Sequence, residues 1–171
     1  INNIGGILLK AVVLKDKVRM GDPIAPVYYE DVEVPKPNEG EVLIRLKYAA
    51  LNRRDVFIRY GAYPGIEVPS ILGSDGSGVV AELGSNVSNV SVGDEVVINP
   101  SLHWGDNPAF PSRDHTILGC PTDGTYAQYV KVPAEYVHPK PKHLSFKEAA
   151  AIPLAGLTAY RAVVSRGEVK E

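Results

Sequence analysis

Five side chains of types that bind metals or transfer protons lie in one stretch of the sequence, between residues 99 and 123. Imidazole, carboxylate and thiolate groups are the usual ligands of zinc and related ions. Loops this long are uncommon unless they have a function of their own. Since the five residues show no recognisable ligand spacing, we favour structural or solvent-exposed roles over an alternative metal site. They are His103, Asp106, Asp114, His115 and Cys120.

A second segment, residues 73–78, reads Gly-Ser-Asp-Gly-Ser-Gly and resembles a phosphate-binding loop at first sight. A dinucleotide fingerprint must follow a strand and open a helix. This segment instead leads into Val-Val-Ala-Glu-Leu at 79–83, which has the composition of a strand. We therefore predict that its glycines serve tight turns and close backbone packing.

A third group lies in residues 52–61, which we predict to form a short helix. Asn52 suits the N-cap, Asp55 follows three residues later, and Gly61 is a good stop. The Asn52 amide is also able to donate a hydrogen bond to a developing negative charge. Capping and catalysis therefore compete for this side chain. For Asp55 we favour capping and positioning of the helix over proton transfer.

The elements that must hold these residues are mainly strands. The clearest is 41–48, where apolar residues alternate with Glu41, Arg45 and Lys47. One face of this strand is predicted to consist of Val42, Ile44, Leu46 and Tyr48. Further strands are predicted at 7–14, 27–34, 77–83, 95–98 and 125–132.

The C-terminal part is predicted to be helical. Ser145 and Glu148 form a capping box for a helix over 146–152. Pro153 ends that helix and suits the first turn of a second one over 154–164. We place a boundary between a first unit, 1–144, and a helical connection, 145–171.

Composition and charge exclude several classes of protein. The 171 residues are 44% hydrophobic and 22% charged, which is typical of a globular domain. A net charge of −2 without a basic block argues against nucleic acid as a partner. No apolar run is long enough to span a bilayer, so we expect no membrane association. One cysteine excludes an internal disulfide and favours a reducing, cytoplasmic location.

Seven motifs, in order and with consistent gaps, make the chain resemble the N-terminal part of a medium-chain dehydrogenase/reductase, of the quinone oxidoreductase and zinc-type alcohol dehydrogenase-like branch. They lie at 37–44, 52–55, 61–64, 72–80, 92–96, 124–129 and 150–160. The resemblance implies a mainly β fold, a GroES-like, partly open β-barrel with short helices. It also implies that the C-terminal helical pair leads toward a Rossmann domain that this chain does not contain.

The same resemblance implies that the usual zinc ligands are replaced. Zinc-dependent members carry a Cys at the position of Asn52, a His-Glu pair at Ser74 and Asp75, and a Cys at Leu154. Leucine cannot bind a metal, and Asn and Ser are poor substitutes for thiolate and imidazole. The four-Cys structural zinc lobe is excluded too, because the corresponding region has only Cys120. We therefore expect no metal.

The family resemblance also assigns roles to individual side chains. Asn52 is the best-placed donor to a developing oxyanion or enolate, and Asp55 and Tyr63 complete the catalytic candidates. Arg53 lies where family members contact the cofactor pyrophosphate, and Thr158 where the helix touches the nicotinamide ring. The alternative for Tyr63 is packing, and the alternative for Arg53 is simple solvent exposure. For Thr158 it is the ordinary hydrogen bond of a helical threonine to a preceding carbonyl. Trp104 is a candidate for a residue that lines one side of the active-site entrance.

The first hypothesis is a zinc-independent reductase of quinones or α,β-unsaturated carbonyls that uses NADPH or NADH, with NADPH favoured by analogy. A small molecule is the expected partner, and the full-length protein is expected to be a homo-oligomer. Two alternatives remain, a zinc-type alcohol dehydrogenase with atypical ligands and a stand-alone GroES-like binding module. By itself the chain is expected to show little or no turnover.

Overall fold

A computed structural model describes residues 7–169, and strands dominate that part of the chain. The strands are β1 Leu8–Leu14, β2 Val27–Glu33, β3 Glu41–Ala50, β4 Ser70–Ile71, β5 Asp75–Leu83, β6 Glu95–Ile98, β7 Ser101–Leu102, β8 Thr116–Ile117, β9 Tyr129–Pro133 and β10 Val137–Pro139. The helices are α1 Arg53–Arg59, α2 Phe146–Ala150 and α3 Pro153–Tyr160, with a 3₁₀ turn at Ala134–Tyr136 and a π-helix at Arg161–Arg166.

The strands form a five-stranded sheet in the order β10-β6-β5-β3-β9 and a three-stranded sheet in the order β2-β1-β4. All of their pairings are antiparallel. An isolated bridge between Ala11 on β1 and Ala127, just before β9, links the two sheets, and backbone hydrogen bonds on either side of it reinforce the link. The curled, open sheet confirms the predicted mainly β, GroES-like partly open barrel.

Strand β3 lies at the centre of the larger sheet and departs from the predicted alternation. Leu43, which by its spacing shares a face with Glu41 and Arg45, is fully buried, whereas Tyr48 on the apolar face is 50% exposed. The reason is tertiary, because Leu43 packs into a second apolar cluster with Leu9, Val13 and other residues of the smaller sheet. Both faces of β3 are therefore covered near its start, and alternation applies only where one face meets water.

The glycine-rich segment runs directly into β5, which confirms the prediction of a strand rather than a phosphate-binding loop. A side chain at Gly78 would collide with the backbone carbonyl of Arg45 on β3. Gly73 has a φ of +93°, and a side chain there would collide with the ring of Tyr126. These glycines allow close approach of neighbouring backbones.

Helix α2 begins at the predicted capping box, since Ser145 Oγ accepts from Glu148 N at 3.3 Å and Glu148 Oε2 accepts from Ser145 N at 2.9 Å. It packs on β3 and β5. The second predicted helix exists, but it becomes π-helical from Arg161 and none of the residues of α3 is buried. Between residues 99 and 123, β7 and β8 form a short hairpin that was not predicted. No helix within 7–169 is long and apolar enough to cross a membrane.

Candidate functional site

The site is built at the end of β3, where the chain turns into α1. Asn52 has the extended backbone of an N-cap residue, as predicted. Asp55 Oδ2 accepts a hydrogen bond from the Asn52 backbone N–H at 3.0 Å and from the Tyr126 hydroxyl at 2.6 Å. Its Oδ1 accepts from Gly73 N at 3.3 Å. Asp55 is buried and links α1 to the segments that contain Gly73 and Tyr126. Its hydrogen bonds therefore fix the position of the helix.

The Asn52 side chain turns toward Asp75, the first residue of β5. Asn52 Nδ2 donates to Asp75 Oδ2 at 3.0 Å, and Leu154 N, at the start of α3, donates to Asp75 Oδ1 at 2.8 Å. Asp75 is only 1% exposed. Burial raises the pKa of its carboxyl above the ordinary value, the nearby Asp55 carboxylate adds to that, and the two donated hydrogen bonds oppose it.

Sheet pairing explains why Asn52 and Asp75 meet. In the β3–β5 pair, Ala50 lies opposite Asp75, so Asn52 follows two residues beyond the end of the ladder. The antiparallel register thus brings the N-cap of α1 beside the first residue of β5. No feature local to either segment specifies this contact.

A second buried polar group, which the sequence reasoning did not identify, surrounds Arg54. Its guanidinium donates to the carbonyls of Leu118 and Ile117, each at 3.3 Å, and to the carbonyl of Cys120. It also donates to Ser74 Oγ at 3.3 Å, and Ser74 Oγ donates to the Leu118 carbonyl at 2.7 Å. Arg54 therefore attaches the end of the 99–123 segment to α1.

The tyrosine and arginine candidates occupy different environments. The Tyr63 ring lies under the Arg54 guanidinium, 4.7 Å from its carbon to the ring centroid, and packs on the apolar cluster around Ile58. Arg53, by contrast, is exposed, with its guanidinium 5.9 Å from the Phe57 ring centroid. Arg53 is therefore free to contact a bound anion, whereas Tyr63 has a packing role in this structure.

A cleft of about 960 Å³ separates the 99–117 segment from α3 and the π-helix. Trp104 and Thr158 both line it, so the structure places these two candidates together. Thr158 Oγ1 donates to the Leu154 carbonyl at 2.9 Å, as an ordinary helical threonine does. The Arg161 guanidinium covers Trp104 at 4.3 Å and donates to the Ala109 carbonyl at 3.1 Å.

Asn52, Arg53, Asp55 and Tyr63 do not line this cleft. Asn52 is connected to it indirectly, since Asp75 bonds both Asn52 and Leu154, and Leu154 lines the cleft. The candidates thus form two neighbouring groups, one at α1 and one at α3. Asp75 joins the two groups.

The possible metal ligands of the 99–123 segment are dispersed. His115 Nε2 lies 3.0 Å from Ser101 Oγ, and its ring meets Trp104 edge-to-face. Burial, with a smaller effect of His103, lowers the pKa of His115. Cys120 is buried and contacts Glu67. Across residues 7–169, no three His, Cys, Asp or Glu side chains converge as a metal site would require.

The residues at the family's catalytic zinc positions do not fit that ion. The Leu154 side chain has no donor atom, and the hydroxyl of Ser74 is engaged with Leu118 and Arg54. The Asn52 amide is already bonded to Asp75. Tetrahedral zinc requires thiolate, imidazole or carboxylate ligands, and here Asp75 alone supplies one.

A nicotinamide cofactor fits the exposed groups better. Arg53 presents an unpaired cation to solvent among the described residues, which suits a pyrophosphate. Thr158 and Trp104 line a cleft with space for a planar ring. The cofactor would supply the hydride, and these residues would bind and orient it.

Comparison with known proteins identifies the family. Residues 38–142 match the alcohol dehydrogenase GroES-like domain. The chain belongs to this domain family, within the medium-chain dehydrogenase/reductase superfamily.

Two relatives illustrate the range of the family. A zinc-type alcohol dehydrogenase-like protein of Schizosaccharomyces pombe is 37% identical, over 91% of this chain and 45% of its own length. A trans-enoyl reductase of Aspergillus flavipes is 41% identical, over 78% of this chain and 36% of its own length. The chain therefore spans less than half of these curated relatives.

Solved structures agree with this assignment. An NAD-dependent alcohol dehydrogenase superposes with a TM-score of 0.83 at 43% identity, covering 94% of this chain and 48% of the other. The quinone oxidoreductase from Coxiella burnetii superposes with a TM-score of 0.76 at 31% identity, covering 96% and 47%. Similar proteins thus carry both dehydrogenase and reductase names.

Proposed function

We propose that the protein containing this chain is a zinc-independent, NAD(P)H-dependent reductase of quinones or α,β-unsaturated carbonyl compounds, and that the chain is its catalytic domain. The observation that carries this proposal is the hydrogen-bonded group formed by Asn52, Asp75 and the Leu154 N–H at the zinc-ligand positions. These positions offer amide donors where dehydrogenases of the family have metal ligands.

Reduction of a conjugated carbonyl or a quinone places negative charge on an oxygen as hydride is delivered. Within residues 7–169, one N–H of the Asn52 amide is bonded to Asp75 and the second has no acceptor. That free N–H is the group we assign to the developing oxyanion. An amide donor fixed in advance stabilises such charge without reorganisation in the transition state.

The remaining candidates have supporting roles in this proposal. Asp55 holds the start of α1, Arg53 binds the cofactor pyrophosphate, and Thr158 contacts the nicotinamide ring from the side of the cleft. NADPH is the favoured donor. Tyr63 is half-buried and packs against Arg54, and we assign the part of its ring that stays exposed to the substrate side.

The test is a substrate panel combined with metal analysis. The full-length protein, purified without added metal, is assayed with NADPH and NADH against quinones and enones, and with NAD and NADP against alcohols. We expect NADPH oxidation by quinones or enones that survives chelator treatment. Failure with every quinone and enone would remove the proposal.

The second candidate is a zinc-type alcohol dehydrogenase with atypical ligands. The names of the Schizosaccharomyces pombe relative and of the NAD-dependent structure favour it. It predicts stoichiometric zinc in the purified protein and oxidation of alcohols that stops when the metal is removed. The same two measurements therefore separate the two candidates.

A further inference from the structure

Among the described residues, the buried carboxylate of Asp75 has no counter-ion, and the proposed chemistry assigns it no contact with substrate or cofactor. Its two oxygens accept two N–H groups, one from the Asn52 side chain and one from the Leu154 backbone. Neither donor carries a formal charge. A carboxylate kept 99% from solvent without a cation is costly, so the arrangement needs a reason.

A primary amide is nearly symmetric in shape, and its orientation depends on its hydrogen-bond partners. An ionised carboxylate only accepts hydrogen bonds, so it turns the NH₂ end of Asn52 toward itself and excludes the opposite orientation. A neutral partner with both donor and acceptor atoms would allow either orientation.

We propose that Asp75 is a positioning residue that fixes the orientation of the Asn52 amide and ties it to the first turn of α3. The inference rests on the proposed function, because Asp75 would orient the free N–H of Asn52 toward the developing oxyanion. Nothing requires Asp75 itself to touch substrate.

The substitution Asp75→Asn isolates this role. The new carboxamide oxygen still accepts from Leu154 N, so the tie to α3 remains. Its NH₂ group then faces Asn52, whose amide must rotate to present its oxygen. We expect kcat to fall at least about tenfold, as for loss of an oxyanion donor, with KM for the cofactor changed less than about twofold.

The matched control is Asp123→Asn in the same full-length protein. Asp123 Oδ1 also accepts a backbone N–H, from Ile71 at 2.9 Å, but it belongs to a different part of the surface. We expect kcat and KM to be unchanged in this variant. A similar loss in both variants would show a general effect of removing a carboxylate and would overturn the inference.

A reciprocal exchange separates positioning from stabilisation. In the double variant Asn52→Asp with Asp75→Asn, an amide and a carboxylate again face each other, so the hydrogen bond is restored. The melting temperature should recover, but kcat should not, because the donor at position 52 is gone. Recovery of kcat would mean that the bond alone matters, and the inference would be wrong.

The pH profile supplies a readout that does not depend on the folding of Asp75→Asn. Protonation of Asp75 as pH falls would turn its carboxylate from a hydrogen-bond acceptor into a donor and release the Asn52 amide. The value of kcat would therefore fall on the acid side of the pH profile, which we call the acid limb. Asp55 and Tyr126 are the other titratable groups that act on this region. An acid limb caused by Asp75 would vanish in Asn52→Ala, because that variant has no side-chain amide for Asp75 to release.

The variant Asn52→Ala also separates this inference from the proposed function. An unchanged kcat in Asn52→Ala would remove the proposed role of Asn52 itself. A reduced kcat in Asn52→Ala, together with an unchanged kcat in Asp75→Asn, would leave the function intact and overturn only the positioning role. An acid limb equally present in the wild type and Asn52→Ala would overturn it as well.

Discussion

At the residue scale, two adjacent arginines at the start of α1 have different environments and therefore different expected roles. Arg54 is 7% exposed and donates to three backbone carbonyls and one hydroxyl, while its buried Nε has no partner within residues 7–169. Arg53 is exposed and contacts only the ring of Phe57 among the described residues. We therefore expect the first to govern stability and the second to govern ligand binding.

Substitution of each arginine by methionine tests this division. Arg54→Met leaves buried carbonyls without donors, so we expect a loss of ~3 kcal/mol or more, roughly 10 °C in melting temperature. Arg53→Met should leave the melting temperature unchanged and raise KM for the cofactor several-fold. Calorimetry and steady-state kinetics on the two variants give the answer, and the reverse pattern would contradict the assignment.

At the scale of elements, α2 depends on its capping box. Ser145 and the exposed Glu148 bond each other reciprocally, and those bonds lower the pKa of the Glu148 carboxyl. A lowered pKa means that this contribution to stability is present above the ordinary value of 4.5 and is lost as pH falls through the lower folded-state value.

We expect Ser145→Ala to cost about 1 kcal/mol, as other N-cap losses do. It should also bring the pKa of Glu148 part of the way back toward its ordinary value, because the hydroxyl bond is lost while the backbone N–H of residue 145 still donates to Glu148 Oε2. NMR titration of the Glu148 side chain measures the second effect. A pKa unchanged from that of the wild type would show that the Ser145 hydroxyl does not contribute to the shift.

The contact between the 99–117 segment and the π-helix gives a second prediction at this scale. Trp104 is the only tryptophan in the sequence, so its fluorescence reports on the cleft alone. Arg161→Ala removes the cation that covers its ring, and we expect emission at longer wavelength as water reaches the indole. Arg166→Ala, in the same π-helix and exposed, is the control and should leave the spectrum unchanged.

At the scale of the whole molecule, the helices at the C-terminal side present an apolar face that the described residues do not cover. Leu157, Tyr160 and Val163 are 42%, 64% and 50% exposed. The chain spans less than half of its curated relatives, and within residues 7–169 the glycine-rich segment enters a strand rather than a helix. Under the proposed function, this apolar face and the adjoining cleft would form one side of the cofactor site.

Residues 1–171 produced alone should accordingly show no detectable NAD(P)H oxidation with quinones or enones. The full-length protein assayed beside it serves as the control. The isolated chain should also bind a hydrophobic dye more strongly than the full-length protein, because the apolar face of α3 is exposed. Turnover by the isolated chain at the rate of the full-length protein would contradict this expectation.

The sequence by itself determined the mainly β class, the N-cap residue of α1, the capping box of α2, the strand after the glycine-rich segment, and the family. These features rest on side-chain periodicity, turn residues and ordered motifs, which act over a few positions. The alternation of β3 does not hold at Leu43, because burial on the second face of this strand depends on a sheet formed by distant residues.

Only the tertiary structure decided how the functional side chains are combined. Asp75 meets Asn52 because the β3–β5 register places Asp75 opposite Ala50, and Arg54 reaches carbonyls more than 60 positions away along the chain. The sequence contains one indication of this contact, which is the polar residue Asp75 within a segment predicted to be closely packed. Local propensity does not encode which distant backbone or carboxylate will face a given donor, because sheet pairing and burial determine that.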